Sequence, residues 1–229
     1  MRLFVALNLP PAERDRIHRA ARPLRGSGWP VRWVGRDQLH VTLKFLGVVP
    51  DEREAEIARA VEAAAAAVGP FEFGVGGVGA FPSLRRPRVL WLGVEPAPEM
   101  EALWREIEER FERLGFAREG RPFRPHVTLG RVNRAPGAAA RPERLARAAE
   151  KVDYRARIRV ETLDLMESRL RPTGAEYEVR HAAPLRGAPS GGHAGAGASA
   201  QESGRGPGRG ARGPEAQGDS GTGGGGASA

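Results

Sequence analysis

The tetrapeptide His-Val-Thr-Leu occurs twice, at His40–Leu43 and again at His126–Leu129, 86 residues later. In an extended strand successive side chains point to opposite faces, so His40 and Thr42 share one face while Val41 and Leu43 share the other. The same alternation sets His126 and Thr128 against Val127 and Leu129. Each motif thus offers an imidazole beside a hydroxyl and anchors itself through two apolar residues. Two imidazoles can divide the roles of general base and general acid near neutral pH, one neutral and the other protonated. Threonine hydroxyls donate hydrogen bonds to non-bridging phosphate oxygens. Cleavage of a phosphodiester needs one proton taken from the attacking group and one delivered to the leaving oxygen. A single copy of the motif would be an ordinary strand, whereas an identical pair in matching positions points to that chemistry.

Cations flank both motifs. Under strict alternation Lys44 continues the face of His40 and Thr42 and is expected to reach the same cleft. Arg131 falls on the opposite face unless Gly130 permits a bulge that re-aims it. Arg124 joins the face of His126 only if the strand starts before Pro125. Trp33, Phe81, Phe123 and Tyr177 are candidates for stacking on a base, and of these Phe123 and Tyr177 are assigned to substrate binding with Lys44 and Arg131. His18 lies on the polar flank of a helix, His181 near the end of the last strand pattern and His193 in the C-terminal tail, so none is a candidate. No cysteine is present, and the sequence has none of the close His/carboxylate clusters that metal sites show, so neither a metal nor a cofactor is expected.

The elements that must position these residues follow from periodicity. The opening run Arg2-Leu-Phe-Val-Ala-Leu-Asn-Leu9 is apolar on both alternations, as in a strand within a sheet. A helix follows with Ile17, Ala20, Ala21 and Leu24 on one face, then short strands around Val31 to Val34 and Leu39 to Leu46. Asp51 reads as an N-cap with Glu54 three residues on, ahead of an apolar stripe of Ile57, Ala60, Val61, Ala64 and Val68 that ends at Gly69. Two strand-like runs, Phe71 to Phe81 and Arg88 to Glu95, close a first half. The second half begins with a helix bearing Met100, Leu103, Trp104, Ile107, Phe111 and Leu114. The second motif strand follows, then a helix from Pro142 with Leu145, Ala148, Ala149 and Val152, and strand-like runs over 156–167 and 175–181. Both halves read helix, motif strand, helix, strand, strand. The pattern implies an α+β fold of two similar lobes packed side by side and related by an approximate two-fold axis.

Composition bounds the rest. Residues 187–229 contain no Val, Ile, Leu, Met, Phe, Tyr or Trp and hold 16 of the 31 glycines. Such a segment buries too little apolar surface to offset its ordering entropy, so a disordered tail is expected after a folded domain of residues 1–186. The chain has 36 basic and 28 acidic residues, and three of each lie in the tail, so the net charge of +8 belongs to the domain. A basic domain suits a polyanionic partner such as nucleic acid. No apolar run has the length of a membrane span, and the N-terminal apolar stretch ends within a few residues at prolines and charges, so a cytoplasmic protein is expected.

The chain resembles the 2H phosphoesterase superfamily, and within it the RNA 2′,3′-cyclic phosphodiesterases, also called 2′-5′ RNA ligase-like proteins. The stretches that carry the resemblance are RLFVALNLP, LHVTLKFLG, FPSLRRPRVLWLGV, RPFRPHVTLGR and SRLRPTGAEYEV, which span nearly all of residues 1–186. It implies a bilobal fold of two antiparallel-rich sheets flanked by helices, with the motifs facing a central cleft, and metal-independent opening of a 2′,3′-cyclic phosphate at an RNA end to a 2′-phosphomonoester. His40 would donate the proton, His126 would accept one from water, and Thr42 and Thr128 would hold the phosphate. The expected partners are RNA ends bearing 2′,3′-cyclic phosphate, tRNA fragments among them, and the expected state is a monomer. Two alternatives remain at this level: 2′-5′ ligation of RNA as the physiological direction, and a basic RNA-end binding module without turnover.

Overall fold

The structure is a computed structural model that describes residues 1–133, 141–171 and 174–187. Of the expected tail, residues 187–229, all but Gly187 lies outside the described residues. The element order is β1 (Arg2–Asn8), α1 (Pro11–Ala20), α2 (Arg22–Arg25), β2 (Val31–Trp33), β3 (His40–Val48), α3 (Glu54–Ala66), β4 (Phe71–Phe81), β5 (Val89–Glu95), α4 (Pro98–Arg113), β6 (His126–Val132), α5 (Pro142–Glu150), β7 (Arg155–Val160), β8 (Thr162–Arg171) and β9 (Gly174–Pro184).

Helices α1, α4 and α5 start with proline at the first turn, where its missing N–H costs nothing. The stripes predicted for α3 and α4 are the buried ones: Ile57, Val61 and Ala64 on α3, and Met100, Leu103, Ile107 and Phe111 on α4. Asp51 does not cap α3. It sits in a short 3-10 turn, and its carboxylate accepts from the N-terminal ammonium at 3.1 Å, a charged donor that outcompetes a backbone N–H.

Among the described residues the nine strands are antiparallel to their neighbours, in the order β7-β4-β5-β6-β3-β1-β8-β9, with β2 pairing β6. Two half-sheets are joined in the middle. One holds β3, β1, β8 and β9, the other β6, β5, β4 and β7, and β3 meets β6 through one residue pair, Val41 with Val127. One face carries the core, in which Leu3, Val5, Leu7, Val41, Leu43, Leu90, Leu92, Val127, Leu129, Leu163 and Leu165 pack against the helical stripes. Val41 and Val127 are fully buried there, and each such side chain removed from water contributes about 1.5–3 kcal/mol. The other face is open. It holds a small cluster of Phe4, Ala6 and Met166 with Tyr177 against it.

The half-sheets are not the sequential halves read from the sequence. Strands β4 and β5 lie with β6, and β8 and β9 return to β1. The repeat is framed one element earlier: β1-α1-β3 corresponds to β5-α4-β6, because each motif strand pairs with the strand that precedes its helix. Periodicity reports which face of a strand is apolar, but strand partners are chosen by tertiary packing.

Candidate active site

The antiparallel register about Val41 and Val127 sets His40 across from Thr128 and Thr42 across from His126. Because the two valines point into the core, all four polar side chains rise from the open face. The two ring systems are held in the same way. His40 Nδ1 donates to the Gln38 carbonyl at 2.7 Å and His126 Nδ1 donates to the Arg124 carbonyl at 2.8 Å, each two residues back along its own chain. A carbonyl can only accept, so each neutral ring carries its proton on Nδ1 and leaves Nε2 as the reactive nitrogen. His40 Nε2 lies 3.1 Å from Thr42 Oγ1, which donates to it.

Contacts behind the histidines fix the entry to the first motif. Arg14 donates from Nε to the Leu9 carbonyl (2.6 Å) and from Nη1 to the Asp37 carbonyl (2.7 Å), beside the peptide that holds His40. Gln38 Nε2 donates to the Ala175 carbonyl on β9 at 2.9 Å. Asn8, directly opposite His40 on β1, donates to the buried Asp164 carboxylate at 2.7 Å. Aromatic rings flank both histidines. Phe4 and Tyr177 each lie 5.1 Å from His40, while Phe81 lies 5.0 Å and Trp91 6.3 Å from His126. Gly79 makes room for Trp91, since a Cβ there would collide with its ring.

Both imidazoles are harder to protonate than a free one. His40 is lowered to about 4, first by burial and then by the cations Arg14 and Arg131, with the hydrogen bond to the Gln38 carbonyl opposing them. His126 is lowered too, first by burial and then by Arg131. The division expected from free imidazoles, one neutral and one charged, therefore does not hold in the unliganded site: both rings are neutral at pH 7, and a charged ring needs an anion beside it to be stabilised.

The flanking residues part company with strict alternation. In β3, Lys44 pairs with Val5 and Thr42 with Ala6, so Leu43 has no partner on β1 and the strand bulges. Leu43 and Lys44 then both turn to the core face. Lys44 is buried there, with Nζ 2.7 Å from Glu108 on α4 and 2.9 Å from the Ala117 carbonyl, and it does not reach the open face as expected. Phe45 takes the place it vacates. The same bulge recurs in β6, where Gly130 pairs with Leu90 and Thr128 with Trp91, leaving Leu129 without a partner. Gly130 thereby occupies the position of Lys44, packed so closely under β2 that a Cβ would lie 2.5 Å from Val31 Cγ1. Arg131 is exposed and carries its charge close enough to both histidines to depress them.

The aromatic assignments divide likewise. Tyr177 stands against His40 and Phe4. Phe123 does not join the histidines: its ring stacks on Trp104 of α4 at 5.0 Å and packs against the core. Trp33 packs against the core under Arg25. Reasoning from the sequence missed Phe4, Asn8 and Trp91 as neighbours of the histidines, and Asp164 as the partner of Asn8. Phe4 and Asn8 share a strand face with Ala6, a usable signal once that face is known to be open, but Trp91 and Asp164 depend on which strands pair. Among the described residues no group of three or more His, Asp or Glu side chains is placed to hold a metal ion. No helix among them is long and apolar enough to cross a membrane.

The family model of the 2′-5′ RNA ligase superfamily matches residues 10–171. An RNA 2′,3′-cyclic phosphodiesterase of Methanothermobacter thermautotrophicus is 33% identical over 177 residues, covering 77% of this chain and 95% of the relative. That of Thermotoga maritima is 30% identical over 188 residues, covering 82% and 97%. Among solved structures, TT0787 of Thermus thermophilus superposes with a TM-score of 0.68 at 30% identity, covering 82% of this chain and 99% of that one. Escherichia coli LigT complexed with 3′-AMP superposes with a TM-score of 0.59 at 26% identity, covering 80% and 97%. With the paired His-x-Thr strands inside the matched span, and full-length relatives at this identity, the chain belongs to the 2′-5′ RNA ligase superfamily of two-histidine phosphoesterases.

Proposed function

We propose that this protein is a hydrolase that opens the 2′,3′-cyclic phosphodiester at RNA ends and leaves a 2′-phosphomonoester. The relatives named RNA 2′,3′-cyclic phosphodiesterase support the reaction class. The observation that carries the mechanism is the crossed register, each histidine facing the threonine of the other motif about one buried valine pair. A phosphate seated between the strands meets one imidazole from each side, the arrangement in-line displacement requires. His126 takes a proton from water as the water attacks phosphorus. His40, charged once the phosphate is bound, delivers a proton from Nε2 to the departing 3′ oxygen. Thr42 and Thr128 donate hydrogen bonds to the non-bridging oxygens, and Arg131 offsets the negative charge that develops on them. The water proton and the delivered proton balance, and neither step calls on a metal or cofactor.

The substrates in this reading are cleaved RNAs, tRNA fragments among them, and the enzyme acts as a monomer in the cytoplasm on a folded domain that ends near residue 186. The basic composition supports an RNA partner, as does the capture of the Escherichia coli neighbour with 3′-AMP and with phosphate. The family's description as RNA ligases favours one further use of the same site, since the groups that cleave a 2′-linked phosphodiester also catalyse its formation when a 5′-hydroxyl replaces water.

An oligonucleotide ending in 2′,3′-cyclic phosphate tests the reading. The product should resist a phosphatase specific for 3′-phosphates and show the phosphorus resonance of a 2′-phosphate. A predominantly 3′-phosphate product would reverse the assignment of leaving oxygen, and binding without turnover would make the protein an RNA-end binding module.

A further inference from the structure

Three large apolar side chains are exposed among the described residues: Phe45 at 66%, Val48 at 85% and Val179 at 47%. Scattered exposed apolar residues need no explanation, but these are not scattered. Phe45 pairs with Phe4, Phe4 with Met166, and Met166 with Val179, so the four form one row straight across β3, β1, β8 and β9. Phe4 and Met166 belong to the small buried cluster on the open face, at 2% and 4% exposed, and the pairing places exposed Phe45 and Val179 on either side of them. At about 4.8 Å between strands the row is roughly 14 Å long. Val48 extends the patch beside Arg2, its partner on β1.

This row abuts the histidine site. The Phe4 ring is 5.1 Å from His40 and 6.1 Å from Phe45, and Tyr177 closes the angle at 5.3 Å from Phe4. A terminal cyclic phosphate bound at His40 and His126 sets the preceding nucleotides beside the site, and the face of β3, β1, β8 and β9 adjoins it on the His40 side. Residues 187–229 hold no large apolar side chain with which to cover the row. An open four-stranded antiparallel sheet with aromatic residues on its face is a surface on which two or three bases stack.

We propose that the row Phe45-Phe4-Met166-Val179 is a platform for the bases of the nucleotides on the 5′ side of the cyclic phosphate, so that the enzyme selects RNA ends over cyclic mononucleotides. The proposal rests on the cyclic phosphodiesterase reading for the position of the terminal phosphate. Exposed Phe45 supplies the stacking ring and exposed Val179 a second apolar contact, buried Phe4 and Met166 support them from beneath, and Arg2 is a cation beside the row.

The test compares a nucleoside 2′,3′-cyclic phosphate with a trinucleotide ending in one. The wild type should favour the trinucleotide in kcat/KM by about tenfold or more, since stacking on one aromatic ring contributes about 1–3 kcal/mol per base. In Phe45→Ser, and independently in Val179→Ser, that ratio should fall toward one. A wild-type ratio near one, or a ratio unchanged in both variants, overturns the platform. Sedimentation that shows a wild-type dimer dissociated by Phe45→Ser also overturns it, by assigning the row to a second copy. Fluorescence anisotropy of a labelled pentanucleotide with a 3′-hydroxyl end reads the platform without turnover. About tenfold weaker binding by the variants supports it even if no cyclic phosphate is hydrolysed, which would be a failure of the catalytic reading alone.

Discussion

Lys44 Nζ and Glu108 Oε1 lie 2.7 Å apart in an ion pair from which both side chains exclude solvent, each only 4% exposed. The pair joins the first motif strand to α4, and Glu108 Oε2 also accepts from the Glu119 N–H in the loop that leads to the second motif. Losing one partner leaves the other charge buried and unpaired. Lys44→Met should therefore destabilise the fold by about 3–5 kcal/mol in urea unfolding, while Lys44→Met with Glu108→Leu should recover most of the loss. A lysine that reached the phosphate would instead raise KM with little change in stability.

Replacing either histidine removes one proton-transfer partner. His40→Ala and His126→Ala should each lower turnover by about two to four powers of ten, with circular dichroism unchanged. Thr42→Val and Thr128→Val keep the strand shape and lose one hydrogen bond to phosphate, so a drop of about tenfold is expected. Activity within a few-fold of wild type in any of these variants would take that residue out of the mechanism.

The depressed imidazoles set the pH profile of kcat/KM, which reports the free enzyme. With His40 near 4 and His126 also lowered, the bell should peak on the acid side of pH 6.5. Arg131 disfavours both imidazolium ions, so Arg131→Ala should move the bell upward in pH as well as raise KM. A profile unmoved by that change would separate Arg131 from the histidines.

Stability should carry the same signature. Folded His40 takes up its proton near pH 4, whereas in the unfolded chain it does so near 6.5. Between those values the unfolded state binds the extra proton, so this contribution is intact above about pH 6.5 and is lost as pH falls, levelling off below about 4. His40→Gln should flatten that part of the curve in unfolding experiments at stepped pH. An unchanged slope would show that His40 is not held neutral by burial.

Acid-base chemistry by imidazoles alone predicts that activity survives exhaustive treatment with EDTA. Loss on chelation, restored by a divalent cation, would replace the proton-transfer mechanism.

The chemistry-bearing residues were legible from sequence because strand alternation is local. Two residues of period place His40 with Thr42 and His126 with Thr128 whatever the rest of the fold does, and the apolar stripes of α3 and α4 follow from helical period in the same way. Alternation stops being local where a strand bulges. A bulge exists only relative to the strand opposite, so that Lys44 turns inward and Phe45 outward was decided by pairing with β1, and Arg131 was re-aimed by pairing with β5. Gly130 hinted at its bulge, but nothing in the identity of Lys44 reveals its own. Tertiary structure likewise decided that Phe123 stacks on Trp104, that Phe4 and Trp91 flank the histidines, and that both imidazoles are depressed. Each of those outcomes depends on which groups distant in sequence exclude water from a side chain, and burial of that kind is a property of the assembled sheet.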